Sequence, residues 1–178
     1  MRRAFFVCGP ESSGNRLMVS MLVDAGCWGR GKIDQPIDGS LPDYPIVKPE
    51  PQPDRLAFYR SFPHGGHWPN FMQIVSNLRA WGYRDTTVLV MVRDQYAIER
   101  SQVRAGHVSD LNHARQNTTR AYKEIFFGVT RLRLPFVIVS YARLGVPEYR
   151  QWITETLRLP KAPTIEWTNE DTKYYGQV

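Results

Sequence analysis

The chemistry-bearing part of this sequence begins in the run Phe5-Phe6-Val7-Cys8-Gly9-Pro10-Glu11-Ser12-Ser13-Gly14-Asn15-Arg16-Leu17. An apolar, strand-like segment passes into a Gly- and Ser-rich turn that opens directly into a helix-like one. Such a junction aims successive backbone N–H groups and the positive helix end at an anion, usually a phosphate. Gly9 and Gly14 keep the spacing of G-x-x-x-x-G-K-[ST], but Asn15 replaces the lysine and Arg16 replaces the metal-binding hydroxyl residue. A magnesium-nucleotide site built here lacks both its charge clamp and its metal hydroxyl. Two readings stay open: a phosphate cradle of another kind, or an ordinary strand–turn–helix junction.

A second element is Thr87–Val92 followed by Arg93-Asp94-Gln95, with Ser101 eight residues after Arg93. Arg93 is expected at the carboxyl end of a central strand, where open α/β sheets bind ligands. Helical spacing can return the Ser101 hydroxyl to the same crevice, adding a neutral donor to a charged fork. The alternative is a surface ion pair between Arg93 and Asp94. A third stretch, Arg60-Ser61-Phe62-Pro63-His64-Gly65-Gly66-His67, places two histidines among glycines just after a strand. His64 and His67 are either candidate proton acceptors or loop histidines, whereas His107 and His113 read as exposed helix residues. Two cysteines and scattered histidines make no zinc spacing, so no metal is expected. Glu166, Glu170 and Asp171 read as a solvated acidic run. Trp28, Tyr44 and Trp68 either line an acceptor pocket or plug their loops.

These residues need elements to hold them. Strands are expected at Arg3–Cys8, Leu56–Ser61, Thr87–Val92 and Phe136–Tyr141. Helices are expected from Gly14 to Ala25, after Asn70 to near Gly82, from Gln95 to Ala105, from Ser109 to Leu132 and from Pro147. Leu17, Met18, Met21 and Leu22 give the first helix its apolar face; Phe71, Ile74, Val75, Leu78 and Trp81 do so for the second. Thr87–Val92 is β-branched and apolar throughout, as a strand covered on both faces requires. The alternation predicts a three-layer α/β P-loop-type fold with a mostly parallel sheet of four or five strands. Residues 1–178 read as one domain with a long loop at 27–54 and an irregular tail at 160–178.

Composition sets the outer limits. The 178 residues are 42% hydrophobic and 22% charged, which excludes disordered, collagenous and coiled-coil chains. The net charge of +6 suits an anionic ligand, but basic residues are spread along the chain, so nucleic acid is not the expected partner. The longest apolar run, Val88–Val92, falls far short of the ~20 residues of a membrane span. No apolar signal core follows Met1-Arg2-Arg3. Only Cys8 and Cys27 are present, so a reduced cytoplasmic setting is expected.

Taken together, the first two elements resemble the cytosolic and Golgi sulfotransferase superfamily, which binds 3′-phosphoadenosine 5′-phosphosulfate (PAPS) on a P-loop-like fold. Ser13-Gly14 and Arg16 match its 5′-phosphosulfate loop, with Asn15 at the usual Thr position; Arg93 and Ser101 reproduce its 3′-phosphate element. Phe136–Leu144, Pro147-Glu148 and a helix ending Leu157-Arg158-Leu159-Pro160 are similar to its late strand, Tyr-containing turn and final helix. The resemblance spans about residues 3–160. It implies donor contacts from Ser12, Ser13, Gly14, Asn15, Arg16, Arg93, Ser101 and Tyr141, with PAPS as sulfuryl donor and 3′,5′-diphosphoadenosine (PAP) as product. It implies a hydroxyl or amine acceptor, possible classes being a carbohydrate or an aromatic alcohol.

The sequence also departs from the family. Ser12 stands where many members place a basic residue, and the C-terminal basic-glycine segment of many animal members is absent. Arg16, Arg60 or Lys48 are the candidates to replace that charge. Arg60 aligns with the family's Lys-x-His lysine, Phe62 holds the strict His position, and His64 leads as base with His67 as fallback. The competing readings are a P-loop nucleotide or nucleoside kinase with a degenerate motif, and a noncatalytic nucleotide-binding module.

Overall fold

The computed structural model describes residues 2–29, 52–164, 167 and 170–175. Its strands are β1 (Arg3–Gly9), β2 (Arg55–Ser61), β3 (Asp85–Val92) and β4 (Phe136–Ser140). They form one sheet in the order β2-β1-β3-β4. Every pairing is parallel: Cys8 sits opposite Arg60 on one side and Val90 on the other, and Val92 opposite Ser140. Parallel strands need crossovers, and helices supply them. These are α1 (Asn15–Asp24), α2 (Phe71–Ala80), α3 (Gln95–Arg104) and α4 (Leu111–Leu132); α5 (Pro147–Leu157) follows β4. The fold is thus α/β, with an all-parallel four-stranded sheet flanked by helices.

Strand alternation divides the core into two layers. Phe5, Val7, Leu89 and Met91 pack against Met18, Val19, Met21 and Leu22 of α1 and Ile153 and Leu157 of α5. Phe6, Cys8, Val88 and Val90 face the other way, against Phe71, Ile74, Val75 and Leu78 of α2 and Ala121, Ile125 and Val129 of α4. β1 and β3 are therefore covered on both faces, which explains their uninterrupted apolar character. β4 closes one side of the sheet and leaves Phe136 and Ile138 about half exposed, at 47% and 49%. Burial pushes the Cys27 thiol up to about 11 and raises Cys8 further, so both cysteines are poor nucleophiles.

Element bounds follow the expectations closely, with informative differences. β3 starts at Asp85, because Asp85 and Thr86 lie opposite Arg3 and Ala4 in the parallel ladder. The fourth strand stops at Ser140, one residue early: Tyr141–Arg143 turn into a short 3₁₀ segment. Part of the tail expected to be irregular forms a further helical turn, α6 (Thr172–Tyr175). Of the expected 27–54 loop, Trp28 bridges to β2, donating to the Arg55 carbonyl and accepting from the Ala57 N–H, both at 2.8 Å. Tyr44 and Lys48 lie outside the described residues. No described helix is long and apolar enough to cross a membrane.

Gly128 fixes the spacing of α4 from α2. A Cβ there would sit 2.4 Å from Phe71 Cδ1, in the ring of a side chain that is itself buried. Alanine favours a helix interior by about 1 kcal/mol, but overpacking of this kind costs about 1–3 kcal/mol. Gly128→Ala is expected to lower the free energy of urea unfolding by up to about 2 kcal/mol, the overpacking cost less the helix-propensity gain. A raised midpoint would show that α2 and α4 separate without cost.

Candidate functional site

Because all strands run the same way, their carboxyl ends share one edge of the sheet. At that edge Gly9 ends β1, and the chain turns through Ser12 and Gly14, both with positive φ (68° and 94°), before α1 begins. Gly14 is required twice over. Its backbone is left-handed, and a Cβ would lie 2.6 Å from Tyr141 Cδ2.

The amino end of α1 differs from those of its neighbours. Asn70, Asp94 and Asp110 cap α2, α3 and α4, accepting from the N–H groups of Gln73, Ala97 and His113. α1 has no side-chain cap and no acidic residue in its first turn. The first N–H groups of any helix lack intrahelical partners. Here they stay available at the positive end of the helix, which is what an anion needs.

Inside the turn, Asn15 serves as a staple. Its Nδ2 donates to the carbonyls of Gly9 (3.3 Å) and Pro10 (3.1 Å) and to Ser61 Oγ (3.0 Å), and its Oδ1 accepts from Ser13 Oγ (3.1 Å). Ser13 Oγ also sits 2.7 Å from the Pro10 carbonyl. The Asn15 and Ser13 side chains are thus spent on the shape of the loop, as is the Ser13 N–H, which donates to the Pro10 carbonyl at 3.2 Å; the Asn15 N–H stays available to a ligand. Arg16 is exposed at the rim.

Opposite the loop, Arg93 follows β3. Its Nη1 donates to the Ser12 carbonyl at 2.6 Å, its Nε to Asp171 Oδ1 at 2.6 Å, and its guanidinium lies 4.5 Å from the Tyr141 ring centroid. Arg93 and Asp171 are nearly buried, with 7% and 9% of their side chains exposed. Asp171 is therefore not part of a solvated acidic run, a correction to the sequence reading. The tail returns over the site: Glu170, Lys173 and Tyr174 help line it, and Glu170 pairs with Lys173. Ser101 lines the same cleft, so Arg93 and Ser101 do converge.

The cleft encloses about 730 Å³, between the phosphate-type loop, the ends of β2 and β3, and the tail. His64 lines it, buried 5.8 Å from the Tyr59 ring. Its Nδ1 accepts from the Ser61 N–H at 3.4 Å, a long contact that assigns the proton of the neutral ring to Nε2. Proton uptake at Nδ1 requires that contact to give way. His67 pairs with His64 through the backbone, but it is exposed and does not line the cleft.

Arg60 is the clearest departure from expectation. β2 alternates, so Tyr59 and Ser61 face the cleft while Arg60 is buried on the opposite face, donating to the Tyr59 carbonyl at 3.0 Å. Burial lowers its pKa, and its Nη2 has no hydrogen-bond partner among the described residues. It does not line the cleft and cannot supply the missing loop charge there.

Sequence reasoning missed Glu11, Tyr59, Ser61, His107, Glu170, Lys173 and Tyr174 as lining residues. Period-2 alternation from Arg60 would have found Tyr59 and Ser61. No local signal ties the tail to the site. Glu11 is 6% exposed; its Oε1 accepts from the Gly65 N–H at 2.8 Å and its Oε2 is buried without a partner among the described residues. Burial raises its pKa, against the opposing pull of His107 and the Gly65 N–H. Burial likewise raises the pKa of Tyr141, against the nearby Arg93 charge. Among the described residues no group of three or more His, Cys, Asp or Glu is placed to hold a metal ion.

No family model matches this chain, and no curated protein matches it. Among solved structures, the sulfotransferase domain from the Synechococcus PCC 7002 olefin synthase is similar, with a TM-score of 0.50 and 13% identity. The likeness covers 96% of this chain and 78% of that one, and at this identity it establishes the fold.

The Asn15 staple makes a direct prediction. Asn15→Ala removes a buried donor shared by the Gly9 and Pro10 carbonyls and Ser61 Oγ, at about 1–3 kcal/mol of unfolding free energy. Asn15→Asp keeps the shape but turns an oxygen towards those carbonyls, so it should cost more than alanine in the same thermal melt. Equal losses would mean that only packing matters at this position.

Proposed function

We propose that this protein is a sulfotransferase that moves a sulfuryl group from PAPS to a hydroxyl or amine acceptor, residues 1–178 acting as one domain. The observation that carries the reading is Arg93, held against the Ser12 carbonyl so that the loop and the strand-end arginine form two walls of one cleft. An arginine has five N–H donors. Ser12 and Asp171 take two of Arg93's, and the other three have no partner among the described residues. The fold-level likeness to a sulfotransferase domain supports the same reading.

The residues present fit the donor. The uncapped N–H groups of Gly14, Asn15 and Arg16 would hold the 5′-phosphosulfate, with the Ser12 and Ser13 backbone shaping the turn. Arg93 and Ser101 would hold the 3′-phosphate, and the Tyr141 ring would pack beside it. When bound, PAPS supplies an activated sulfuryl group, and the chain must orient the acceptor, neutralise charge on the departing phosphate and accept one proton. The α1 end and Arg16 serve the second task. His64, the histidine that lines the cleft beside the loop, serves the third once Nδ1 releases the Ser61 N–H. His107 also lines the cleft but is exposed.

The kinase reading is weaker. It needs a lysine and a metal-binding hydroxyl where Asn15 is folded into the loop and Arg16 lies at the rim. Calorimetry decides between them: PAP is expected to bind without metal, and Mg-ATP is not expected to bind tightly. No PAP binding at millimolar concentration overturns the assignment. Binding without turnover on any hydroxyl or amine acceptor leaves the noncatalytic module.

Arg93→Ala is expected to weaken PAP binding by about 1.5–3 kcal/mol, and Ser101→Ala by about 1 kcal/mol. Adenosine 5′-phosphosulfate, which lacks the 3′-phosphate, should be insensitive to both. Equal losses with that analogue would assign the pair to stability. His64→Ala is expected to lower kcat by roughly 10²–10⁴-fold with PAP affinity nearly unchanged. Wild-type turnover in a His64→Ala, His67→Ala double variant would dismiss the histidine base.

A further inference from the structure

Glu11 is placed unusually for an acidic residue. It sits within a loop shaped for anions, and it is tied down at both its main chain and its side chain. Its carbonyl accepts from Gln102 Nε2 at 3.0 Å, and Gln102 is fully buried on α3 beside Ser101. Its Oε1 accepts from the Gly65 N–H at 2.8 Å. Just before the turn, the Phe62 N–H donates to the Gly9 carbonyl at 3.0 Å and Asn15 Nδ2 to Ser61 Oγ at 3.0 Å, and Glu11 carries the attachment to the loop on to Gly65. Gly65 and Gly66 have positive φ (57° and 82°), and a Cβ on either would meet nothing within 4 Å. The His64–His67 backbone pair, at 2.7 and 3.2 Å, closes the turn on itself and does not set where it points.

The geometry points to Glu11 as a positioning residue: its carboxyl group clamps the Gly65 N–H and so holds the His64 turn against the phosphate-type loop. The inference rests on the sulfotransferase reading, in which the distance between that loop and the proton acceptor matters. Two features separate this role from direct proton transfer. Oε2 is buried and does not open to the cleft, and Oε1 is already engaged. The clamp also survives protonation, because a neutral carboxyl still accepts through its carbonyl oxygen. Burial pushes the Glu11 pKa up, against the lowering pull of His107 and the Gly65 N–H. Of the ionisable groups that line the same cleft, which include His64, Arg16, Arg93, Glu170 and Lys173, His107 after α3 is the one whose charge acts on Glu11.

Three variants of the full chain test the clamp. Glu11→Ala removes the acceptor, Glu11→Asp shortens it out of reach while keeping the carboxyl group, and Glu11→Gln keeps an acceptor oxygen at the same length. Exchange of the Gly65 amide, followed by NMR, is expected to accelerate at least tenfold in the Ala and Asp variants. Gln should restore most of the protection. PAP affinity should stay within threefold in all three, while kcat for transfer from PAPS to a phenol falls 10–100-fold in Ala and Asp and largely recovers in Gln.

Unchanged Gly65 exchange in both Ala and Asp overturns the clamp. A Gln variant as impaired in kcat as Ala, with Gly65 still protected, overturns it in favour of proton transfer by Glu11 itself. Should the Ala variant fail to fold, the Asp and Gln pair decides alone. A wild-type protein that binds PAP and transfers nothing refutes the sulfotransferase reading, and Gly65 exchange then still decides whether Glu11 holds the turn.

Discussion

Parallel pairing of β1 with both β2 and β3 is the constraint on which the rest depends. Once three strands run side by side in one direction, their carboxyl ends share an edge, and whatever follows each strand meets there. The loop after β1, the histidine turn after β2 and Arg93 after β3 are far apart in sequence but converge for this reason alone. The same pairing demands helical crossovers, and the crossover after β1 supplies the uncapped helix end. Fold and site are thus one consequence of the sheet's direction.

Within that frame, polar groups divide between shaping and binding. Asn15, Ser13 and Gln102 are buried, and their side-chain hydrogen bonds go to the loop's own atoms. Arg16, Ser101 and Lys173 stay at the cleft. A phosphate-type loop that spends its asparagine on internal hydrogen bonds has no side-chain cation of its own at that position. Cations at the cleft then include Arg16 at its rim and Arg93, which reaches the loop from the end of β3. The contact of Arg93 with the Ser12 carbonyl orients the fork as well as anchoring the loop.

The sequence showed the sheet clearly because β1 and β3 are covered on both faces and β-branched or apolar throughout. It showed Arg93 and Ser101 because their positions depend only on a strand end and helical spacing. Arg60 misled for an equally local reason: a match by alignment ignores which way a strand residue points, and one position of offset reverses the face. Asp171 was illegible. Its burial comes from the return of a distant tail onto Arg93, and nothing in the local pattern of that tail distinguishes a buried carboxylate from a solvated one. Glu11 was hidden differently, inside a motif whose glycines and serines drew the attention.

The Arg93–Asp171 pair sets the electrostatic terms for any ligand. An arginine this buried would be costly if unpaired, so a carboxylate beside it stabilises the protein in the absence of ligand. The same carboxylate opposes an arriving phosphate through like charge. Two arrangements reconcile these effects: the phosphate shares the guanidinium through its three unspent donors, or the tail yields and the phosphate replaces Asp171. The first keeps Glu170, Lys173 and Tyr174 over the cleft during binding; the second opens it. The +6 net charge favours anion approach in either case, but only sharing keeps the cleft covered during the sulfuryl transfer proposed above. Water is the competing acceptor in any such transfer, so the arrangement that retains the tail is the one better suited to the chemistry.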